Sequence, residues 1–224
     1  MHIPDGFLSA PVAAAGYAAS AAVVALAFKR SKQTLEERQV PLLGVTTAFV
    51  FAAQMLNFPV AMGTSGHFLG AALAAVLLRP LNGCLVFATV LVVQCLLFAD
   101  GGLTALGANM FNMGVVGVLG GYAAFRFVAV MLPHSRRNFL FAAALGSWLS
   151  VVASASACAV ELAVSGTVPL GLVLPAMVAV HAVIGVGEAL ITVATLSVIL
   201  AARPDVVGEW HGTPAALASG ESPS

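Results

Sequence analysis

Residues 80–99 read PLNGCLVFATVLVVQCLLFA, a run of 20 residues without a charge between Arg79 and Asp100. An α-helix of about 20 apolar residues crosses the ~30 Å hydrocarbon core of a bilayer. The whole chain of 224 residues is 60% hydrophobic and 8% charged, whereas soluble proteins carry about 25% charged residues. The sequence therefore lacks the charge to cover a water-facing surface and predicts a polytopic membrane protein.

Other uncharged intervals of similar length occupy most of the chain. The interval from Arg38 to Arg79 is too long for one span, and Asn57-Phe58-Pro59 and the glycine-rich residues 63–66 interrupt it. It therefore predicts two helices, the second of them short. The complete pattern predicts an all-α fold with seven transmembrane helices, at approximately 9–29, 41–60, 67–79, 82–99, 106–131, 139–164 and 175–202.

The basic residues predict the orientation of these helices. If the N-terminus lies outside, all nine Lys and Arg residues fall at cytoplasmic helix ends, as the positive-inside rule requires. We therefore expect an outside N-terminus and a cytoplasmic C-terminus. Residues 1–203 form a single transmembrane domain in this interpretation, and residues 204–224 form a cytoplasmic tail whose composition predicts disorder.

Several function classes lack their sequence signals. The net charge is zero, which argues against a nucleic-acid partner. Neither Lys29 nor Lys32 follows a glycine, so the sequence has no P-loop for ATP. The patterns HExxH and GxSxG are also missing from the sequence. Cys84, Cys95 and Cys158 lie in apolar runs without CxxC spacing, which is typical of buried cysteines.

The first residues, Met1-His2-Ile3-Pro4-Asp5-Gly6-Phe7, carry a possible chelate. We expect Met1 to be retained, because initiator methionine is normally removed only before a small residue. The terminal amine, the His2 amide nitrogen and the His2 imidazole Nδ1 can then close two fused rings on one cation. Pro4-Asp5-Gly6 predicts a turn that folds the terminus back among the helices. The alternative is a frayed terminus.

A second histidine lies on the same predicted side of the membrane. His67 follows Gly63-Thr64-Ser65-Gly66 at the expected outer start of the third helix. Irregular backbone at membrane depth is tolerated where it lines a cavity or is buried in protein. His67 is either a hydrogen-bonding residue at a helix start or a fourth nitrogen ligand, and the coincidence with His2 favours the ligand. Four such donors, one a deprotonated amide, suit square-planar Ni(II) or Cu(II), and Co(II) less ideally.

Further polar residues fall near this predicted side or inside the last helix. His181 and Glu188 are two turns apart on one helix face and form either a structural pair or a coupling element. Another group either orients the ligands by hydrogen bonds or caps helix ends. Its members are Asn57, Ser65, Asp100, Asn109 and Asn112.

Several of these segments resemble the CbiM/NikM family, the substrate-capture components of energy-coupling-factor cobalt and nickel transporters. The resemblance covers nearly all of the chain up to the tail. It is carried by MHIPDGFL at 1–8, AQMLNFPV at 53–60, GTSGH at 63–67, FADGG at 98–102, LGAN at 106–109 and HAVIG at 181–185.

The resemblance implies a seven-helix, non-catalytic subunit in which 1–203 is the substrate-capture domain and 1–8 its metal-binding segment. The metal would be held by the Met1 amine, the His2 amide nitrogen and imidazole, and His67. The cation is then a transported substrate and not a cofactor. The implied partners are a transmembrane coupling subunit, cytoplasmic ATPase subunits and a small accessory membrane subunit, and the implied location is the bacterial inner membrane.

The choice of metal and two rival functions remain open at this point. The chain ends soon after the seventh predicted span, without the fused accessory extension of many nickel members, which favours Co(II) uptake for cobalamin synthesis. The donor set itself favours Ni(II). The rivals are a stand-alone secondary transporter, with Glu161 and Glu188 as its intramembrane charges, and a membrane metalloenzyme that uses His67 and His181 as ligands.

Overall fold

A computed structural model of the chain describes residues 1–59 and 65–210. These residues form seven helices and one antiparallel pair of short strands, which confirms the all-α, seven-helix architecture. The strands are β1 (Asn57–Pro59) and β2 (Ser65–His67), with Asn57 opposite His67. The helices are α1 (Ala10–Thr34), α2 (Val40–Gln54), α3 (Ala71–Leu78), α4 (Pro80–Phe98), α5 (Leu106–Met131), α6 (Arg136–Val164) and α7 (Leu170–Ala202).

The helices differ in their ability to cross a membrane. Five of the helices in the described chain are long and apolar enough to do so, namely α1, α4, α5, α6 and α7. Helix α2 is apolar and has 15 residues, and α3 has only 8. At 1.5 Å per residue α3 is about 12 Å long, far short of the ~30 Å core. Helix α3 by itself is therefore too short to span the core, and the predicted full helix at 67–79 is wrong.

The strand pair shortens two of the predicted helices. Helix α2 was predicted to continue to residue 60 but ends at Gln54, because Asn57–Pro59 pairs as a strand. Helix α3 was predicted to begin at residue 67 but begins at Ala71, because His67 belongs to the partner strand. The last helix begins earlier than predicted, at Leu170, and contains Pro175.

Helix α3 is the centre of the core. All eight of its residues are buried, and it packs against α4, α5 and α6. A helix inside a membrane protein must bond its terminal N–H and C=O groups internally. At its start Glu188 accepts from the N–H groups of Leu69 and Gly70, and near its end the Leu77 carbonyl accepts from Gly208 N at 3.1 Å.

Residues 204–210 pack against the helices. Val207 is fully buried, and the Glu209 carboxylate lies 3.2 Å from the Arg126 guanidinium. The Trp210 ring lies edge-on to Phe139, with the centroids 5.1 Å apart. Burial of apolar side chains stabilises this segment, which differs from the expected disorder from residue 204 onward. The rest of the predicted tail, 211–224, lies outside the described residues.

In α5, residues Met110–Gly120 are π-helical. Such wide turns are rare and often occur at functional sites. This stretch continues directly from Asn109, whose side chain is hydrogen-bonded to the backbone of Ile3. The π-helical turns therefore begin next to a residue that contacts the N-terminal segment.

Candidate metal centre

The start of the chain is inserted among the helices. Met1 and Ile3 are fully buried and His2 is 5% exposed. The Ile3 N–H donates to Asn109 Oδ1 at 2.8 Å, and the Ile3 carbonyl accepts from Asn109 Nδ2 at 3.1 Å and from Gly102 N at 2.9 Å. Both polar groups of the Ile3 backbone are thus satisfied by α5 and the loop before it. The described terminus is anchored and not frayed.

The predicted turn after Pro4 is present and is also anchored. Gly6 has a φ of +83°, and Asp5 Oδ1 accepts from the Thr104 N–H at 2.7 Å and from its hydroxyl at 2.5 Å. These hydrogen bonds lower the pKa of the Asp5 carboxyl below its usual value. A Cβ on Gly102 would overlap the backbone nitrogen of Asp5. Glycine at 102 therefore permits the close approach of the N-terminal segment.

His67 meets His2 in the interior, as their predicted shared side of the membrane requires. His67 is fully buried, and its ring stacks on that of His2 with a centroid distance of 4.7 Å and an interplanar angle of 29°. His67 Nδ1–H donates to the Phe68 carbonyl at 2.7 Å. His67 Nε2 therefore carries the lone pair, and it has no hydrogen-bond partner in the described parts of the chain.

The His2 ring is held at one nitrogen and open at the other. Its Nε2 lies 3.1 Å from Gln94 Oε1, whereas its Nδ1 has no hydrogen-bond partner among the described residues. Asp100 Oδ1 lies 3.3 Å from that Nδ1. Burial, followed by the nearby terminal amine, lowers the pKa of His2 to about 3. The ring is therefore neutral at pH 7, and its contact with Asp100 is not an ion pair there.

Burial also favours the uncharged forms of the Met1 amine and His67. Burial lowers the pKa of the Met1 amine to about 6 and that of His67 well below its usual value. Burial raises the pKa of Asp100, which the nearby amine opposes. At pH 7 the amine and both imidazoles therefore carry lone pairs, which is the state in which nitrogen binds a metal.

The polar residues that were predicted to orient the ligands have different partners in the structure. Asp100 contacts His2, and Asn109 holds the backbone of Ile3. Asn112 turns away and donates to Glu161 at 2.6 Å. The side chains of two further members, Asn57 and Ser65, lie outside what the structure describes.

The side chains of His181 and Glu188 both point from α7 into the protein interior, but each has its own hydrogen-bond partner. His181 Nδ1–H donates to the Met177 carbonyl at 2.7 Å, and His181 Nε2 has no partner in the described residues. Glu188 accepts from Leu69 N at 2.8 Å and from Gly70 N at 2.6 Å. Glu188 therefore holds the segment that follows His67, which favours a structural role for this residue.

Two residues at the site were not singled out from the sequence, Gln54 and Gln94. Both are fully buried, and they are hydrogen-bonded to each other at 3.2 Å. The signal for them was a primary amide inside an apolar span, where it must find an internal partner. No group of three or more His, Cys, Asp or Glu side chains that could hold a metal occurs in residues 1–59 and 65–210. The nitrogen donors of this site include the main chain, which such a pattern does not contain.

Known proteins share this architecture. A family model described as the cobalt uptake substrate-specific transmembrane region, CbiM, matches residues 2–206. A protein of Archaeoglobus fulgidus, provisionally assigned as the fused nickel transport protein NikMN, is 42% identical over 220 residues, 97% of this chain and 71% of the relative. A cobalt transport protein CbiM of Pelobacter propionicus is 41% identical over 160 residues, 69% of this chain and 70% of the relative. The crystal structure of a truncated transition metal transporter superposes with a TM-score of 0.82 at 32% identity, over 89% of this chain and 98% of that one.

Proposed function

This chain belongs to the CbiM family, a family of multi-pass cobalt and nickel transport membrane proteins, and we propose that it is the substrate-capturing subunit of an ATP-driven energy-coupling-factor importer. Its substrate is Co(II), with Ni(II) as the alternative. The observation that carries this proposal is the meeting of a buried chain start with two imidazoles whose open nitrogens have no other hydrogen-bond partner among the described residues.

The ligand set consists of the Met1 amine, the His2 amide nitrogen, His2 Nδ1 and His67 Nε2. The amine and amide nitrogens close a five-membered ring on the cation, and the amide and Nδ1 close a six-membered ring. His2 can form the second ring only through Nδ1, which is its open nitrogen. His67 then completes a plane of four nitrogens.

The distance between the two rings supports this arrangement. A metal–imidazole bond of about 2.0–2.1 Å puts each ring centroid roughly 3.1 Å from the metal. Two rings at adjacent corners of a square then have centroids about 4.4 Å apart, and at opposite corners about 6.2 Å apart. The observed 4.7 Å between His2 and His67 agrees with adjacent corners. Adjacent corners are what the fused rings require, because His67 must lie opposite the amide nitrogen.

The metal preference follows from two considerations that differ in direction. A deprotonated amide in a four-nitrogen plane suits Ni(II), and a fused nickel transport protein is among the similar proteins. The family model carries the description of cobalt uptake. Cobalt is the proposed substrate, and direct competition between the two ions decides the point.

The energy source and the orientation belong to the same proposal. Transport depends on partners: a transmembrane coupling subunit, cytoplasmic ATPase subunits and a small accessory membrane subunit. The N-terminus and the metal site face outward, and the end of α7, which Arg203 follows, faces the cytoplasm. The bacterial inner membrane remains a prediction, since similar proteins include archaeal ones.

The test uses purified protein with an unmodified start. We expect one Co(II) or Ni(II) per chain, measured by elemental analysis after dialysis, and a competition titration that ranks the two ions. Inserting one alanine between Met1 and His2 should abolish stoichiometric binding, because the insertion breaks the fused rings. Inserting an alanine after Glu36, in the exposed link between α1 and α2, is the matched control and should leave binding intact. Full binding by the first variant would refute the proposed ligand set.

A transport assay separates this function from a stand-alone secondary transporter. Proteoliposomes that contain this chain alone should show no metal accumulation, and adding the coupling and ATPase subunits with ATP should produce it. Accumulation by the chain alone, driven by an ion gradient, would assign the secondary mechanism instead.

A further inference from the structure

We infer that Gln54 and Gln94 fix the tautomer of His2, so that its Nδ1 presents a lone pair before any metal arrives. The purpose of this relay rests on the proposed function, because Nδ1 is the imidazole nitrogen that the chelate needs. The relay consists of hydrogen bonds that join the Leu69 carbonyl, Gln54, Gln94 and His2 in that order.

The direction of the relay is set at the end remote from His2. The Leu69 carbonyl can only accept a hydrogen bond, and Gln54 Nε2 donates to it at 2.9 Å. The carbonyl oxygen of the Gln54 side chain therefore points the other way. It accepts from Gln94 Nε2 at 3.2 Å. A backbone group thus decides how both amide side chains are oriented.

The same logic continues to the imidazole. Because its amino group is bonded to Gln54, Gln94 presents its oxygen to His2 Nε2, at 3.1 Å. An amide oxygen only accepts, so His2 Nε2 must carry the hydrogen. A neutral imidazole has one N–H, and the lone pair is therefore on Nδ1.

Asp100 makes this constraint necessary. Its Oδ1 lies 3.3 Å from His2 Nδ1, close to where it would accept a hydrogen from that nitrogen. Hydrogen bonds to a charged acceptor are roughly twice as strong as neutral ones. Without an acceptor at Nε2, Asp100 would draw the hydrogen to Nδ1 and block the donor. Gln94 opposes this and leaves the carboxylate to face the cation.

Burial keeps the relay intact. Gln54 and Gln94 are fully buried, and His2 is 5% exposed, so bulk water does not compete for the amides. The relay also begins next to the second imidazole. Leu69 follows His67 by two residues, and its N–H is bonded to Glu188. The support of the His67 segment and the tautomer of His2 are therefore connected through one residue.

The readout is the protonation of each His2 ring nitrogen in metal-free protein, measured by NMR with 15N-labelled histidine. The His2 signals are identified by their loss in His2→Ala. We expect wild type to show Nε2–H and an unprotonated Nδ1. Gln94→Met, which has similar size but no acceptor, should move the hydrogen to Nδ1 and weaken metal binding roughly 10–100-fold. Gln94→Glu retains an acceptor and should keep the wild-type tautomer and bind metal.

A second variant tests the direction of the relay without touching His2. Gln54→Met leaves Gln94 free to present either end of its amide, and we expect signals from both His2 tautomers and an intermediate affinity. An Nδ1–H tautomer in wild type would overturn the inference, as would an unchanged tautomer in both Met variants. If wild type has the expected tautomer but binds neither ion, the proposed function fails and the relay stands. If wild type binds metal and the His2 tautomer is unchanged in Gln54→Met and Gln94→Met, only the relay is refuted.

Discussion

The backbone groups at the two ends of α3 have different kinds of hydrogen-bond partner. At the N-terminal end, side chains from distant helices hold the backbone: Glu188 from α7 binds Leu69 and Gly70, and Gln54 from α2 binds the Leu69 carbonyl. At the C-terminal end, a backbone N–H from the segment after α7 donates to the Leu77 carbonyl, and the Asn82 side chain from the next helix donates to the Leu78 carbonyl.

The two ends of α3 also differ in burial. The groups at the N-terminal end are fully buried, and their neighbours are the histidines of the candidate site. Arg79, at the C-terminal end, is exposed. An unbonded polar group costs more where water cannot replace its partner. We therefore expect changes at the N-terminal end to reduce both stability and metal capture, and changes at the C-terminal end to have small effects.

The largest effect should come from Glu188→Gln. The amide would place an NH2 group against one of two backbone N–H donors and leave that donor without an acceptor. We expect a loss of about 2–4 kcal/mol in unfolding free energy together with weaker metal binding, measured by thermal unfolding in detergent and by titration. The matched variant at the other end is Glu209→Gln, whose partner Arg126 is partly exposed, and it should cost about 1 kcal/mol or less. Equal losses of unfolding free energy for the two variants would contradict the expected difference between the two ends of α3.

His67→Ala tests metal capture directly. Removing one of four proposed nitrogen donors should weaken metal binding at least about 100-fold, more than the roughly 10–100-fold typical of groups around a ligand. The metal-free variant should still fold, with a lower unfolding temperature because the His67 ring is fully buried. His134→Ala is the control, because His134 is exposed and stacks near Trp210 at the far end of the molecule. Retention of full affinity in His67→Ala would remove this residue from the ligand set.

Metal affinity should rise with pH in two regimes. Binding displaces the amide hydrogen of His2, so affinity should increase about tenfold per pH unit even where the amine is already neutral. Burial lowers the pKa of the Met1 amine to about 6. Below that value a proton must also leave the amine, and the slope should become about one hundredfold per unit. Isothermal titration between pH 5 and 8 measures both slopes, and a flat profile above pH 6.5 would argue against amide coordination.

A small effect that is confined to stability should come from Asn82→Ala at the C-terminal end of α3. Asn82 Nδ2 donates to the Leu78 carbonyl at 2.9 Å from a half-buried position, where water can replace part of the interaction. We expect a loss of about 1 kcal/mol in stability and unchanged metal affinity. A change in affinity would show that the two ends of α3 are coupled and do not act independently.

Much of the site could be predicted because it depends on local order along the chain. His2 stands next to the terminus, and the sequence before His67 is rich in glycine, so both were recognisable from the sequence. The interaction of Asn109 with Ile3 joins residues 106 positions apart. Its identity as a polar residue near the site was predictable, but its partner was not. Gln94 was overlooked because a single amide in an apolar run resembles ordinary helix composition.

Charge spacing and residue order were enough to predict that this chain lies in a membrane, has seven helices and begins with a dipeptide that could chelate a metal, because these properties are expressed directly along the chain. Only the packed structure shows that α3 is too short to span the bilayer by itself, that its ends are bonded from α7 and the chain after it, and that two glutamines orient an imidazole. Hydropathy records how much each residue avoids water. The partner of a buried hydrogen-bonding group depends on which helices become neighbours, and that is settled only when the helices pack.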